Sequence, residues 1–206
     1  RRPNGRSRRN GRESASRSST RQKRRSSSSR RKESCGKEAG REKIVIQIRR
    51  FLPEDEAEIV RLIGQIMDGE FQEDKAAFPM IDLEALKDSY NRLGEAFFVA
   101  DDGGKVVGTV GIKREDDRVA LLRRIFVAPP YRKRKIGLQL LNRAIAFCEE
   151  VGYQELIFKT TSRMANAIEL IRKRGFQSRA KVPMGTLELL KYSLSLKNHK
   201  KIAPKP

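Results

Sequence analysis

The chain has 206 residues and a formal net charge of +20, from 46 Lys+Arg against 26 Asp+Glu; it contains no apolar run near the ~18 residues that a membrane span needs. Its two cysteines, Cys35 and Cys148, stand far apart in the sequence, which argues against a disulfide framework and fits a reducing, cytoplasmic compartment. A single histidine, His199, leaves no recognisable zinc site and argues against a Ser-His or Cys-His nucleophile in the body of the chain.

The charge is unevenly placed. Residues 1–43 hold 17 Lys+Arg and 4 Glu, and residues 197–206 hold four lysines and no acid, so the 25 basic and 22 acidic residues between them nearly balance. Residues 1–41 are Arg, Ser, Gly and Asn with a serine run from Ser26 to Ser29. Such a segment buries too little apolar surface to offset its ordering entropy, and disorder is expected. Three roles stay open for it: a salt-dependent tether to nucleic acid or an acidic partner, a transit peptide that lacks an amphipathic face, or an extension without function. The chain opens on Arg1 and not on Met, which leaves room for residues ahead of it.

From Glu42 the pattern changes. Ile44, Val45, Ile46 and Ile48 read as a strand. Pro53 followed by Glu54, Asp55 and Glu56 starts a helix, whose stripe is Ile59, Leu62, Ile63 and Ile66. A second helix is predicted from Asp82 as N-cap, with Leu83, Leu86 and Tyr90 on one face and Gly94 as its stop. Ala96 to Ala100 and Lys105 to Ile112 flank an Asp-Gly turn and form a hairpin; Glu115-Asp116-Asp117 turns the chain into a third strand, Val119 to Val127. Gly108 and Gly111 inside that sheet mark a bulge, a close backbone approach or packing against a helix. Arg123 and Arg124 are expected on opposite strand faces, where one of them would meet an anionic acceptor or both would form an exposed charge ladder.

The strand breaks at Pro129-Pro130 into a basic loop, Arg132-Lys133-Arg134-Lys135, and then Ile136-Gly137 opens a helix with Leu138, Leu141, Ile145 and Cys148 in register, ended by Gly152. A strand that feeds a basic, glycine-containing turn into a helix N-terminus is the layout of a phosphate cradle. The first-turn N–H groups have no intrahelical partner and the helix dipole favours an anion; a solvated basic loop is the alternative. Leu156-Ile157-Phe158 is a short strand, Ala165 to Arg174 a helix closed by Gly175-Phe176, and a strand pair follows at Arg179 to Val182 and Thr186 to Leu196, with Leu190, Tyr192, Leu194 and Leu196 on one face. The order β-α-α-β-β-β-α-β-α-β-β predicts an α/β (α+β) mixed sheet of about seven strands, largely antiparallel, with helices on both faces.

This order resembles the GNAT superfamily of acyl-CoA-dependent N-acyltransferases over residues 42–196. The resemblance rests on Val127-Ala128-Pro129 followed by Arg132 to Gly137, where the family has Arg/Gln-x-x-Gly-x-Gly/Ala. It also rests on Thr160-Thr161-Ser162 and on Ala167-Ile168 through Gly175-Phe176. It implies an acyltransferase that uses acetyl-CoA as co-substrate and an amine-bearing acceptor. The acyl-CoA would lie in a V-shaped opening between the fourth and fifth strands. Backbone at Ile125, Phe126 and Val127 would hold the pantetheine arm. The turn Arg132, Lys133, Arg134, Lys135, Ile136, Gly137 and Leu138 would hold the pyrophosphate, and Asn166 would contact the cofactor.

Two positions depart from the family. Lys135 replaces the first signature glycine, which a residue within the helical first turn would tolerate. Ile171 stands where many members have a tyrosine that protonates the departing thiolate. General acid help is typically worth about 10²–10⁴-fold, so its loss slows chemistry without abolishing it, or marks a protein that binds acyl-CoA as a sensor. No carboxylate lies between Val119 and Val127 to act as base; Glu115, Asp116, Asp117, Glu155 and Glu188 are the nearest in sequence, and Tyr90 and Tyr192 read as packing residues. No catalytic residue is assigned.

Overall fold

In the computed structural model, which describes residues 46–196, the alternating apolar runs become seven strands. They are β1 (Gln47–Arg50), β2 (Ala96–Asp102), β3 (Lys105–Arg114), β4 (Val119–Val127), β5 (Glu155–Thr161), β6 (Gln177–Met184) and β7 (Leu187–Ser195). The helices are α1 (Glu56–Glu70), α2 (Ile81–Glu84), α3 (Leu86–Ser89), α4 (Ile136–Val151) and α5 (Ala165–Lys173), with a 3-10 segment at Gln72–Ala77. The expected basic tails, 1–41 and 197–206, and the strand residues Ile44 and Val45 lie outside the described residues.

The sheet runs β1-β2-β3-β4-β5-β7-β6, and every neighbouring pair is antiparallel except β4 and β5. The period-two pattern separates its two faces. Ala96, Phe98 and Ala100 of β2 point into one cluster with Leu140, Leu141 and Ala144 of α4 and Ile171 of α5. Phe97 and Val99 point into the other, with Ile59, Ile63 and Met67 of α1, Leu83 and Leu86. A one-residue slip would exchange the two sets, so burial fixes the register. β6 is exposed along its length and carries Pro183, which has no N–H for a further strand; both suit an edge.

Turn chemistry follows the sequence closely. Gly103 and Gly104 both adopt positive φ, and Asp101 Oδ1 accepts from Gly104 N at 2.6 Å. Asp116 Oδ1 accepts from the N–H groups of Arg118 and Val119 at 2.7 and 2.8 Å. The start of α1 is fastened from three elements: Asp55 accepts Leu52 N at 2.7 Å and both Arg49 terminal nitrogens, while Arg49 Nε reaches Asp101 at 2.8 Å.

The second helix differs from expectation. It breaks at Ala85 into two short pieces, and Asp82 caps neither. The Asp82 carboxylate is taken by Arg124 and by Tyr90 Oη at 2.8 Å. The first N–H of α3, at Leu86, is capped from outside by Glu56 Oε1 of α1 at 2.7 Å.

Candidate active site

The parallel pair β4 and β5 is in register only from Val119↔Glu155 to Leu122↔Phe158. Past that point β4 continues to Val127 and β5 to Thr161 without pairing, so the two strands separate. A cavity of about 280 Å³ fills the gap, walled by β4 from Leu121 to Phe126, by Phe158 and Lys159 of β5, and by Met164, Ala167, Leu189 and Phe78. On the side toward β5, β4 has no strand partner at Ile125, Phe126 and Val127, whereas on its other side Phe126 and Val127 pair with Thr109 and Gly108 of β3. The Val127 carbonyl accepts Arg132 Nε at 3.0 Å.

A bulge shapes this wall. Thr109 pairs with Phe126 and Gly111 with Arg123, so Arg124 and Ile125 together face Val110. Arg124 takes positive φ (53°), and the buried Thr109 hydroxyl donates to its carbonyl at 2.7 Å. The extra residue cancels the strict alternation of side chains. Arg123 and Arg124 therefore do not diverge to opposite faces as expected. Both reach Asp82: Arg124 through two nitrogens, and Arg123 through one contact at 3.5 Å. Burial pushes the Asp82 carboxyl up, but the Arg124 guanidinium outweighs it, with help from Tyr90 and Arg123, and holds the group below the usual carboxylate range. Burial and the same carboxylate push the Tyr90 hydroxyl well above the ordinary phenol range. Gly111 makes this stack possible: a Cβ there would sit 2.8 Å from the Tyr90 ring. Gly108 serves the other face, where a Cβ would come within 3.0 Å of Leu140 of α4.

Beyond the end of β4 the chain enters α4, whose Gly137 lies close to Val127: a Cβ on it would be 3.7 Å from the Val127 side chain. Lys133 and Lys135 have φ of 62° and 63°, and Lys135 is the N-cap rather than part of the first turn. The expectation that a lysine sits there without strain is corrected: the signature position needs the left-handed conformation, for which glycine is the unstrained residue. Lys133 and Lys135 thus stand as two left-handed residues on either side of Arg134, in the turn ahead of α4. The first intrahelical bond inside this end is Gln139 N to Lys135 O at 3.0 Å, so the N–H groups of Ile136, Gly137 and Leu138 precede the ladder. Gly137 lies under α5, and a Cβ on it would be 3.3 Å from Leu170.

The side chains of the basic loop divide. Lys133 and Lys135 are exposed, and Arg134 stacks over the Tyr131 ring at 5.2 Å. Arg132 is engaged elsewhere: its terminal nitrogens bond Glu70 at 2.8 and 2.6 Å, and its own N–H donates to Pro129. It ties the loop to α1 instead of adding charge to an anion. Asn166 is exposed on the first turn of α5, while Met164 and Ala167 on either side of it wall the cavity. Ile171 is fully buried in the α4–α5 cluster.

Sequence reasoning missed two further features. Asp74, fully buried in the 3-10 segment, has neither carboxylate oxygen hydrogen-bonded among the described residues, and the Thr160 and Thr161 hydroxyls are likewise unpartnered. Thr160 and Thr161 belong to the Thr160-Thr161-Ser162 motif, but nothing in the local pattern marks their burial or that of Asp74, because it comes from segments distant in the chain. Among the described residues no cluster of His, Cys, Asp and Glu has metal-binding geometry, and no helix is long and apolar enough to cross a membrane.

The profile described as Acetyltransferase (GNAT) family matches residues 63–176, more than half of the chain, and includes every cavity-lining residue but Leu189, the basic loop, α4 and α5. The chain belongs to the GNAT acetyltransferase family. It is 30% identical over 102 residues to N-acetyltransferase 8 of Homo sapiens, covering 47% of this chain and 45% of that protein. It is 37% identical over 83 residues to "Probable N-acetyltransferase camello" of Xenopus tropicalis, 39% of this chain and 38% of that protein. The chain thus spans less than half the length of these curated relatives. An acetyltransferase of the GNAT family from Staphylococcus aureus Mu50 superposes with a TM-score of 0.64 at 25% identity, over 74% of this chain and 100% of that one. The yncA acetyltransferase structure from Salmonella typhimurium, which contains its cofactor acetyl-CoA, gives 0.63 at 23% identity over 78% and 98%. The GNAT sheet predicted from the element order is the one observed.

Proposed function

We propose that this chain transfers an acetyl group from acetyl-CoA to a primary amine by direct attack within a ternary complex. The observation that carries the reading is the separation of β4 from β5 beyond Leu122 and Phe158, with Gly137 at the start of α4 close to Val127 at the end of β4. Residues 42–196 carry the activity, and residues 1–41 and 197–206 are basic extensions to it.

The residues fit an acyl-CoA. Backbone N–H groups of Ile136, Gly137 and Leu138, together with those of the left-handed Lys133–Lys135 turn, would hold a pyrophosphate. The Lys133, Arg134 and Lys135 side chains add charge beside them. The unpaired edge at Ile125, Phe126 and Val127 suits the amides of a pantetheine arm, and Asn166 stands beside it on α5. In the reaction the amine nitrogen bonds to the thioester carbonyl carbon, the C–S bond breaks, and the thiolate leaves. The amine's proton passes to water, and the thiolate, a tolerable leaving group with a thiol pKa of about 8.5, is protonated in turn. Direct attack is favoured because the one cysteine among the described residues, Cys148, is fully buried, its thiol pushed up to about 12 by burial and by Glu149.

Calorimetry of acetyl-CoA on the full chain tests the cofactor half. Micromolar binding weakened by Lys135→Glu supports the loop as the phosphate site, and no binding by folded protein rejects the proposal. Initial rates with both substrates varied give intersecting reciprocal plots for direct attack; parallel plots would require an acyl-enzyme and would reject it.

A further inference from the structure

The acceptor side of the same cavity carries a charge pattern that the transfer reaction does not use. Its lining includes three cations, Arg123, Arg124 and Lys159, and no carboxylate, while most of the remaining wall is apolar. The three cations are not equally occupied. Arg124 is consumed: it donates to both oxygens of Asp82 and, at 2.6 Å, to the Pro79 carbonyl, and its side chain is 3% exposed. Asp82 accepts three bonds from Arg124 and Tyr90, and Arg123 makes one contact to it at 3.5 Å, longer than an ordinary hydrogen bond, with a side chain 29% exposed. Lys159, on the opposite wall, has only a surface contact at 3.4 Å to Glu115.

From this we propose that the acceptor is an amine that also carries a carboxylate, of the class of α-amino acids with apolar side chains, and that Arg123 binds the carboxylate. The inference rests on the transferase reading above and names the acceptor of that site. A guanidinium is a planar fork that pairs with a carboxylate through two parallel N–H bonds. Arg123 lines the cavity beside the strand edge assigned to the acyl donor, its side chain part-exposed, and Lys159 on the other wall adds long-range attraction. The apolar wall at Leu121, Ile125, Phe126, Phe158 and Leu189 accommodates the acceptor's side chain. Arg123 acts in binding and specificity; it moves no proton.

The test pairs each amino acid with the amine that remains when its carboxylate is removed: phenylalanine with phenethylamine, and leucine with 3-methylbutylamine. The full chain is assayed for CoA release from acetyl-CoA. A site built to hydrogen-bond a charged group discriminates by about 10–100-fold against the analogue lacking it. The expected result is a kcat/KM for the amino acids higher by that factor, expressed in KM. Arg123→Gln brings the amino acids down to the level of their decarboxylated partners, and Arg123→Lys restores part of the gap. Should Arg123→Gln not fold, Lys159→Gln reads the same discrimination from the other wall and narrows it. Equal kcat/KM within each pair, or a gap that survives Arg123→Gln, overturns the proposal while leaving the transferase reading in place. Acetyl transfer to no amine of either kind overturns both.

Discussion

Single residues decide where this chain pays strain for position. Lys133, Lys135 and Arg124 take left-handed φ without being glycine, which costs an L-residue roughly 1–2 kcal/mol. Arg124 recovers the cost through its buried bonds to Asp82 and Pro79, whereas the exposed side chains of the two lysines make no hydrogen bond within the described residues. Lys135→Gly is therefore expected to stabilise the fold by about 0.5–1 kcal/mol after the entropy cost of glycine, read as a higher urea midpoint; a lower midpoint would show that the lysine side chain contributes more than its backbone costs. Ile171 raises the opposite case. Restoring a tyrosine there does not place a hydroxyl in the cavity, because the residue is fully enclosed between α4, α5 and the sheet. Ile171→Tyr should lower stability by about 1–3 kcal/mol through overpacking without raising turnover, and a faster enzyme with unchanged stability would contradict this.

Among the secondary-structure elements, the segment between α1 and β2 depends most on partners outside itself. α2 and α3 are four residues each, too short to persist alone. They hold because Glu56 caps Leu86 and because Asp82 is locked to β4 by Arg124. Asp82→Ala would leave Arg124 charged and buried, and a loss of about 3–5 kcal/mol in denaturant unfolding is expected. The same substitution combined with Arg124→Met removes both charges and should recover most of it. If the double variant is as unstable as the single one, the pair is not the cause. The same dependence limited what the sequence could reveal. A helix from Asp82 was readable from Leu83, Leu86 and Tyr90, but its break was not, since the group that caps α3 comes from 30 residues earlier.

At the scale of the whole molecule, titration sets the pH range of the fold. Asp82 and Asp55 both have carboxyls held below the usual range, where burial is outweighed by Arg124 and Arg49 respectively. Their contribution is complete above the unfolded carboxylate pKa of about 4 and is lost as pH falls through their lower folded values. Tyr90 and Cys148 are raised, chiefly by burial. Their contribution is complete below the unfolded thiol and phenol values of about 8.5 and 10 and is lost as pH rises beyond them. A stability plateau between about pH 4 and pH 8.5 is expected from denaturant midpoints across pH, with Asp82→Asn flattening the acid limb. An acid limb unchanged in that variant would assign it to other groups.

The sequence by itself determined the order of elements, the two faces of the sheet, the glycine and aspartate turns, and the family. Each depends on local chemistry or on a short period: the β7 stripe Leu190, Tyr192 and Leu194 recurs every second residue, the α1 stripe every third or fourth, and Gly103, Gly104 and Gly152 need only their own φ. The opening between β4 and β5 was expected from the family resemblance, but the tertiary structure alone decided where it begins, after Leu122 and Phe158, and that a bulge turns Arg123 and Arg124 toward one carboxylate. It also decided that Arg132 is tied to Glu70 and that Ile171 lies in the core. These depend on which distant segments meet, and a buried charge or an open strand edge has no signature in the residues beside it.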